Sequence, residues 1–329
     1  MRIHLAPMEG VVDYLVRDML TQVGGIDQCV TEFVRVVDQP LPRRVFRRIC
    51  PELENGCRTP ARTPVKLQLL GGQPDPVAEN ARRAVRAGAL SIDLNFGCPA
   101  KTVNKSDGGA CLLQTPSRVF AIVEAVRQAV PDDIPVSAKI RLGFADRSSY
   151  LENAMACQEG GADELVVHAR SKVDGYKPPA YWDYIGRIKQ RLSIPVIANG
   201  EIWSVADYLN CRTQSGCDDV MLGRGLLACP DLPLQIKAHL RGESYRAMSW
   251  LEACELLHDY YRTSFPIYPL KHAGNRIKQW LMYLQFHYPQ AKAFFEAIKR
   301  ERDPDALEQA FVRQLSGDCA APDAALTLP

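Results

Sequence analysis

The sequence predicts an α/β chain whose larger part is a TIM (β/α)₈ barrel and whose smaller part is an all-helical bundle, and three observations carry that prediction. Short β-rich runs recur eight times over about 230 residues. Segments with apolar residues at helical spacing fill the gaps between them. Past about residue 242 the strand candidates stop and long helical segments take over.

The runs lie at 3–7, 28–33, 65–69, 91–94, 136–140, 165–168, 196–199 and 219–222. Each is short and rich in β-branched or other apolar residues, as expected of strands covered on both faces. Stretches such as 76–87, 117–129 and 150–159 read as the amphipathic helices that cover them. Strands alternating with helices imply a parallel sheet, and eight units favour a closed barrel over an open doubly wound sheet. The segments 250–261, 276–285 and 290–299 then suggest a small helical bundle. The expected division is a barrel at 1–241, a helical domain at 242–316 and a frayed tail at 317–329.

Hydrophobic residues make up 47% and charged residues 24%, a balance that excludes a mainly disordered chain. The net charge of +2 leaves partners open, because a basic patch can hide in a near-neutral total. The eleven cysteines form no C-x-x-C pair and no Cys/His cluster, so no metal site is expected. Their odd count, with no leader segment in view, reads as reduced thiols in the cytoplasm. No apolar run approaches the ~20 residues a membrane span requires, and a monomer suffices.

A barrel of this kind works at the C-terminal ends of its strands, so the strand exits are the place to look. They carry Pro7, Met8 and Glu9, then Glu32 and Phe33, then Gln68, then Asn95 to Cys98, then Lys139 and Arg141, His168, Asn199-Gly200-Glu201, and Gly223-Arg224. Polar residues at nearly every exit are hard to explain by packing. "ANGEI" and "LGRGLL", after strands seven and eight, combine glycines with Arg224 and suit a phosphate, although tight turns alone would also use such glycines. Lys139 and Gln68 suit the pyrimidine edge of a flavin, while a structural ion pair of Lys139 with Glu9 or Asp93 is the plainer alternative. His168 fits a cofactor or substrate contact, or a core histidine bonded to a carbonyl. Asn95 can read the donor and acceptor edge of a base, whereas Asp93 fits a hydrogen bond to neighbouring strand ends. Cys98, in "NFGCP", sits at a polar corner and can serve as proton donor or as nucleophile.

The stretch 260–295 contains no Asp or Glu but carries Arg262, Lys271, Arg276, Lys278 and Lys292 among aromatic residues. Arg43, Arg44, Arg47 and Arg48 form a second basic cluster. Either alone fits an ordinary solvated face; two beside a barrel mouth point toward RNA.

In order along the chain, "LAPMEGVVD", "VKLQLL", "DLNFGCPAKTVN", "SAKIRLG", "ELVVHAR", "PVIANGEI", "VMLGRGLL" and "RIKQWL" resemble the tRNA-dihydrouridine synthases, and most closely their bacterial C subgroup. The resemblance spans most of the chain. It implies FMN bound in the barrel by Pro7, Met8, Glu9, Gln68, Lys139, His168, Asn199, Gly200, Glu201, Gly223 and Arg224, with NADPH as the transient reductant. It implies Cys98 as proton donor, with Arg35, Asn95, Arg141 and Arg276 among the tRNA contacts, to which the basic stretch adds Lys271 and Lys278. The implied reaction is reduction of the C5=C6 bond of a D-loop uridine, at position 16. Ala169, Ser171, Lys105 and Asp107 depart from related sequences and put local loop shape in question. An FMN barrel reductase of small molecules, or a non-catalytic RNA-binding barrel, are the competing expectations.

Overall fold

A computed structural model of the protein describes residues 1–316, apart from the side chains of Leu270, Lys271 and Ala273; the expected tail at 317–329 lies outside the described residues. Among the described residues, nine strands and fourteen α-helices follow in order. β1 (Ile3–Leu5) leads to α1 (Tyr14–Val23), then β2 (Gln28–Val30), β3 (Val34–Arg35), α2 (Arg43–Ile49), β4 (Val65–Leu70) and α3 (Pro74–Arg86). β5 (Ile92–Asn95) precedes α4 (Lys101–Lys105) and α5 (Pro116–Ala129), and β6 (Val136–Arg141) precedes α6 (Tyr150–Glu159). β7 (Glu164–His168), α7 (Trp182–Arg191), β8 (Val196–Asn199), α8 (Val205–Ser215) and β9 (Val220–Leu222) complete the βα rhythm. α9 (Arg224–Ala228) and α10 (Leu232–Arg241) lead into α11 (Trp250–Ser264), α12 (Leu270–Leu284), α13 (Pro289–Ile298) and α14 (Pro304–Leu315).

All pairings between strands are parallel, in the order β2-β1-β9-β8-β7-β6-β5-β4, and β2 pairs with β4 to close the ring. This is the expected eight-stranded TIM barrel; the two-residue β3 pairs with the end of β4. The second predicted strand, 28–33, is interrupted after Val30, where side chains turn to local partners: the Thr31 hydroxyl donates to the Glu32 carbonyl at 2.7 Å and accepts from the Gln68 amide at 3.0 Å.

Alternation along the strands divides the side chains into two sets. One set packs outward against the helices: Leu67, Leu94, Ala138, Val167 and Ala198 belong to the main core. The other fills the barrel, and it is itself divided. Ala6, Val30, Val166, Ile197 and Met221 form a small separate apolar cluster. On β4 to β6 the intervening positions are Lys66, Gln68, Asp93, Asn95, Ser137 and Lys139, a polar column through half of the barrel.

The C-terminal helices dock on the barrel through α1 and α9. The Trp280 indole donates to the Leu227 carbonyl at 3.0 Å, and Arg276 pairs at 3.3 Å with Asp13, the residue that caps α1. α11 begins with a capping box, Ser249 and Glu252 bonding each other's backbone. α14 has no counterpart in the periodic segments read from the sequence.

Candidate active site

A cavity of 480 Å³ opens at the C-terminal ends of the strands, a size typical of ligand pockets. Every strand-exit residue singled out from the sequence for the cofactor lines it: Pro7, Met8, Glu9, Gln68, Lys139, His168, Asn199, Gly200, Glu201, Gly223 and Arg224. Cys98, Asn95 and Arg141 line it too. Arg35, Arg276 and Lys278 do not, and the side chain of Lys271 lies outside the described residues.

Three basic groups meet in the wall. Lys139 donates to the Asn199 Oδ1 at 3.0 Å, and Asn199 in turn donates to the Met221 carbonyl at 2.7 Å. The ion pair of Lys139 with Glu9 or Asp93 is absent among the described residues; both Asp93 oxygens are taken by Ser137 and Gln68. Burial, reinforced by Arg141, lowers the Lys139 ammonium to about 8. His168 is buried and surrounded by Arg141, Lys139, Arg170 and Arg224, which, after burial itself, hold it well below its ordinary value and hence neutral at pH 7. Arg141 spans the gap to the cysteine loop: its Nε donates to the Gly97 carbonyl at 2.8 Å and its Nη1 lies 3.5 Å from His168 Nδ1.

The phosphate-like corner is built on β8 and β9. Gly200 has φ +113°, and a Cβ there would lie 3.3 Å from His168 Nε2, so the position suits glycine both in backbone and in space. Glu201 follows at φ 58°, fastened by Arg170 at 2.5 Å and by the Trp203 indole at 3.1 Å. With Arg170 balancing Glu201, Arg224, 3.5 Å from the same carboxylate, retains charge for an anion. Glycine backbone and a guanidinium in one corner are a suitable donor set for the phosphate of a flavin mononucleotide, and Lys139 and Gln68 lie on the wall that its ring would face.

Cys98 sits on the loop after β5, four places from β9 in a ring of eight, so it lies across the mouth from Gly223 and Arg224. Burial pushes its thiol above the ordinary value against a lowering bond from the Ala100 backbone, and nearby Glu9 adds to the rise. Among the described residues no hydrogen bond joins this thiol to an imidazole. A protonated thiol without a base beside it is equipped as an acid rather than as a nucleophile.

Sequence reasoning missed Tyr176 and Trp203 on the rim of the cavity. Tyr176 is half exposed, with Arg141 and Arg224 on its ring at 5.1 and 4.8 Å; Trp203, Phe33 and Tyr283 also line the opening. Tyr176 lies mid-loop between β7 and α7, and the length of that loop was the available signal. Among the departing residues, Asp107 is held by Arg118 at 2.8 Å, the Ser171 amide donates to Asp174 at 2.8 Å, Ala169 is fully buried and Lys105 is exposed.

The basic stretch is less free than its composition suggests. Arg262 pairs with Glu308, Arg276 with Asp13, and Lys278 donates to the Glu301 carbonyl. In the second cluster Arg47 and Arg43 share Glu54.

A profile of the dihydrouridine synthase (Dus) family matches residues 4–316. A tRNA-dihydrouridine(16) synthase of Pseudomonas putida is 53% identical over 303 residues, covering 92% of this chain and 94% of that protein. Proteins of the same name from Shewanella oneidensis and Vibrio cholerae are 52% and 51% identical, over 91% of this chain and 93% and 91% of their own lengths.

Proposed function

This chain belongs to the dihydrouridine synthase family, and from that premise we propose that it reduces the C5=C6 bond of the uridine at position 16 in the D-loop of tRNA, using FMN and NADPH. The observation that carries the reading is the Cys98 thiol, kept protonated by burial on the wall opposite the glycine and Arg224 corner. When bound, FMN supplies the hydride for C6 and NADPH replenishes it.

The residues of the chain do the rest. Cys98 delivers the proton to C5 as a general acid. Arg224, with the Gly200 and Gly223 backbone, holds the cofactor phosphate. Lys139 spends one N–H on Asn199 and keeps donors with which it, and Gln68 nearby in the wall, would hold the flavin ring. Neutral His168 offers a ring nitrogen without adding charge. The uridine must leave its stack to reach the cavity, a cost of a few kcal/mol recovered from contacts elsewhere on the RNA. Arg35, exposed on β3, together with Lys271, Arg276 and Lys278 of α12, supplies those contacts, while Asn95 and Arg141 shape the pocket beside the thiol. The reading carries a cytoplasmic location, where tRNA and reduced nicotinamide coexist, and a monomer that needs no membrane.

Cys98→Ala is the direct test. Mass-spectrometric mapping of tRNA should show dihydrouridine at position 16 with the parent protein and none with the variant, while flavin absorbance and NADPH oxidation persist. Full dihydrouridine formation by the variant would remove Cys98 from the reaction.

A further inference from the structure

Asp93 lies outside the cavity wall, buried to 1% exposure inside the barrel, and the reaction described above does not use it. Its two oxygens accept from Ser137 Oγ at 2.6 Å and from Gln68 Nε2 at 2.7 Å. The Gln68 Oε1 accepts from Asn95 Nδ2 at 2.8 Å. The Asn95 Oδ1 then accepts from the backbone N–H groups of Gly97 and Cys98, at 3.0 and 2.9 Å.

The direction of this chain is set at both ends. Backbone N–H groups can only donate, and a carboxylate can only accept. Each amide between them therefore has one compatible orientation, with NH₂ toward Asp93 and oxygen toward the cysteine loop. Reversing either amide would set donor against donor and leave buried groups unmatched. The lower end is fixed as well, because Ser137 also lies 3.2 Å from Lys66, which pairs with Glu164 at the barrel floor.

The carbonyls of the loop have other holders: Asn104 and the Ala110 amide on Cys98, each at 3.0 Å, and Arg141 on Gly97 at 2.8 Å. The two N–H groups depend on Asn95. We propose that Asp93 is a positioning residue for the Cys98 proton donor, acting through Gln68 and Asn95, an inference that rests on the reduction assigned to this site.

Asp93→Val and Asp93→Asn in the flavin-loaded protein separate this from a general structural role. Valine keeps the size and suits a strand but accepts nothing. Asparagine can still accept from Gln68 while its NH₂ meets the Ser137 hydroxyl. The valine variant should lose about 10- to 100-fold in tRNA reduction, with NADPH oxidation within about twofold of the parent. The asparagine variant should stay within about threefold of the parent on both measures. Iodoacetamide labelling of the Cys98 peptide, followed against pH by mass spectrometry, should show the valine variant's midpoint falling toward the ordinary thiol range as the loop loosens and exposes the thiol. Parent-like tRNA reduction and labelling in the valine variant would overturn the proposal, as would a parallel fall in NADPH oxidation. If valine prevents folding or flavin binding, Asp93→Leu, which likewise accepts nothing, is read against the same expectations. A parent protein that forms no dihydrouridine would sink the assigned reaction instead, and the labelling profile would still decide whether Asp93 governs the loop.

Discussion

The basic residues of the barrel mouth and those of the helical domain look alike in composition and differ in what neutralises them. At the mouth, Arg170 and Arg224 share one carboxylate, Glu201, but Lys139 bonds a neutral amide, Arg141 bonds carbonyls, and His168 is held neutral by the charge around it. In the helical domain, Arg262 has Glu308 and Arg276 has Asp13. Buried cations are normally paired, so positive charge left without a carboxylate marks a place prepared for an anionic ligand. The same residue types are therefore compensated differently, mostly by neutral groups in one region and by carboxylates at the joint in the other.

Replacing Lys139 with Met tests the first half of that contrast and should have the largest effect. Loss of a charged group from the mouth should reduce tRNA reduction about 100-fold or more. The flavin-free protein provides a separate signature. The folded value of about 8 lies below the ordinary lysine value of 10.5, so between these the unfolded chain binds the extra proton and stability rises with pH. That rise, at most about 3 kcal/mol, should vanish in the variant when thermal melts are compared from pH 7 to 10.5. An unchanged rise would mean that Lys139 is not the strained cation.

The raised Cys98 thiol gives a second sign-defined expectation. The acid form is the protonated one, so tRNA reduction should fall rather than rise across the ordinary thiol range, Lys139 losing its proton first and the raised thiol above it. A pH–rate profile that instead rises there would indicate that the thiolate does the work.

In the helical domain the effects should be smaller and should appear in stability. Arg276→Ala leaves the mostly buried Asp13 carboxylate with the Tyr268 hydroxyl and the Val16 amide as remaining donors, at a cost of about 1–2 kcal/mol in denaturant unfolding. The same variant should also lose tRNA affinity, with a salt slope reduced by about one, as the proposed RNA contact requires; unchanged tRNA binding would leave the guanidinium to the joint alone. Arg262→Ala, at an exposed pair, should leave the denaturant midpoint close to the parent's, since His258 stays on Glu308 at 2.9 Å. A larger loss would mean that the joint extends further along α11 than its exposure suggests.

Much of this molecule was legible in its sequence. The eight strand runs and the polar residues that end them emerge from local periodicity, because a strand's side chains alternate regardless of what it pairs with. Gln68, Asn95, Lys139, His168 and Cys98 were found by position alone, at the exits where barrels bind ligands. The helix α14 was not found, and with it went Glu308, which answers Arg262 from 46 residues away. Tyr176 was missed for a related reason: a long loop carries no period, and its rim position exists only once Arg141 and Arg224 flank it.

By itself the chain's residue order determined the βα rhythm, the division of each strand into core-facing and barrel-facing residues, and the chemistry gathered at one end of the barrel. Tertiary structure alone decided which charges remain uncompensated, that the cysteine lies across the ring from Gly223 and Arg224, and that Asp93 connects to the cysteine loop through two amides. Periodicity is written in neighbouring residues, whereas charge compensation and hydrogen-bond direction depend on groups that only ring closure and helix docking bring within 3 Å of each other.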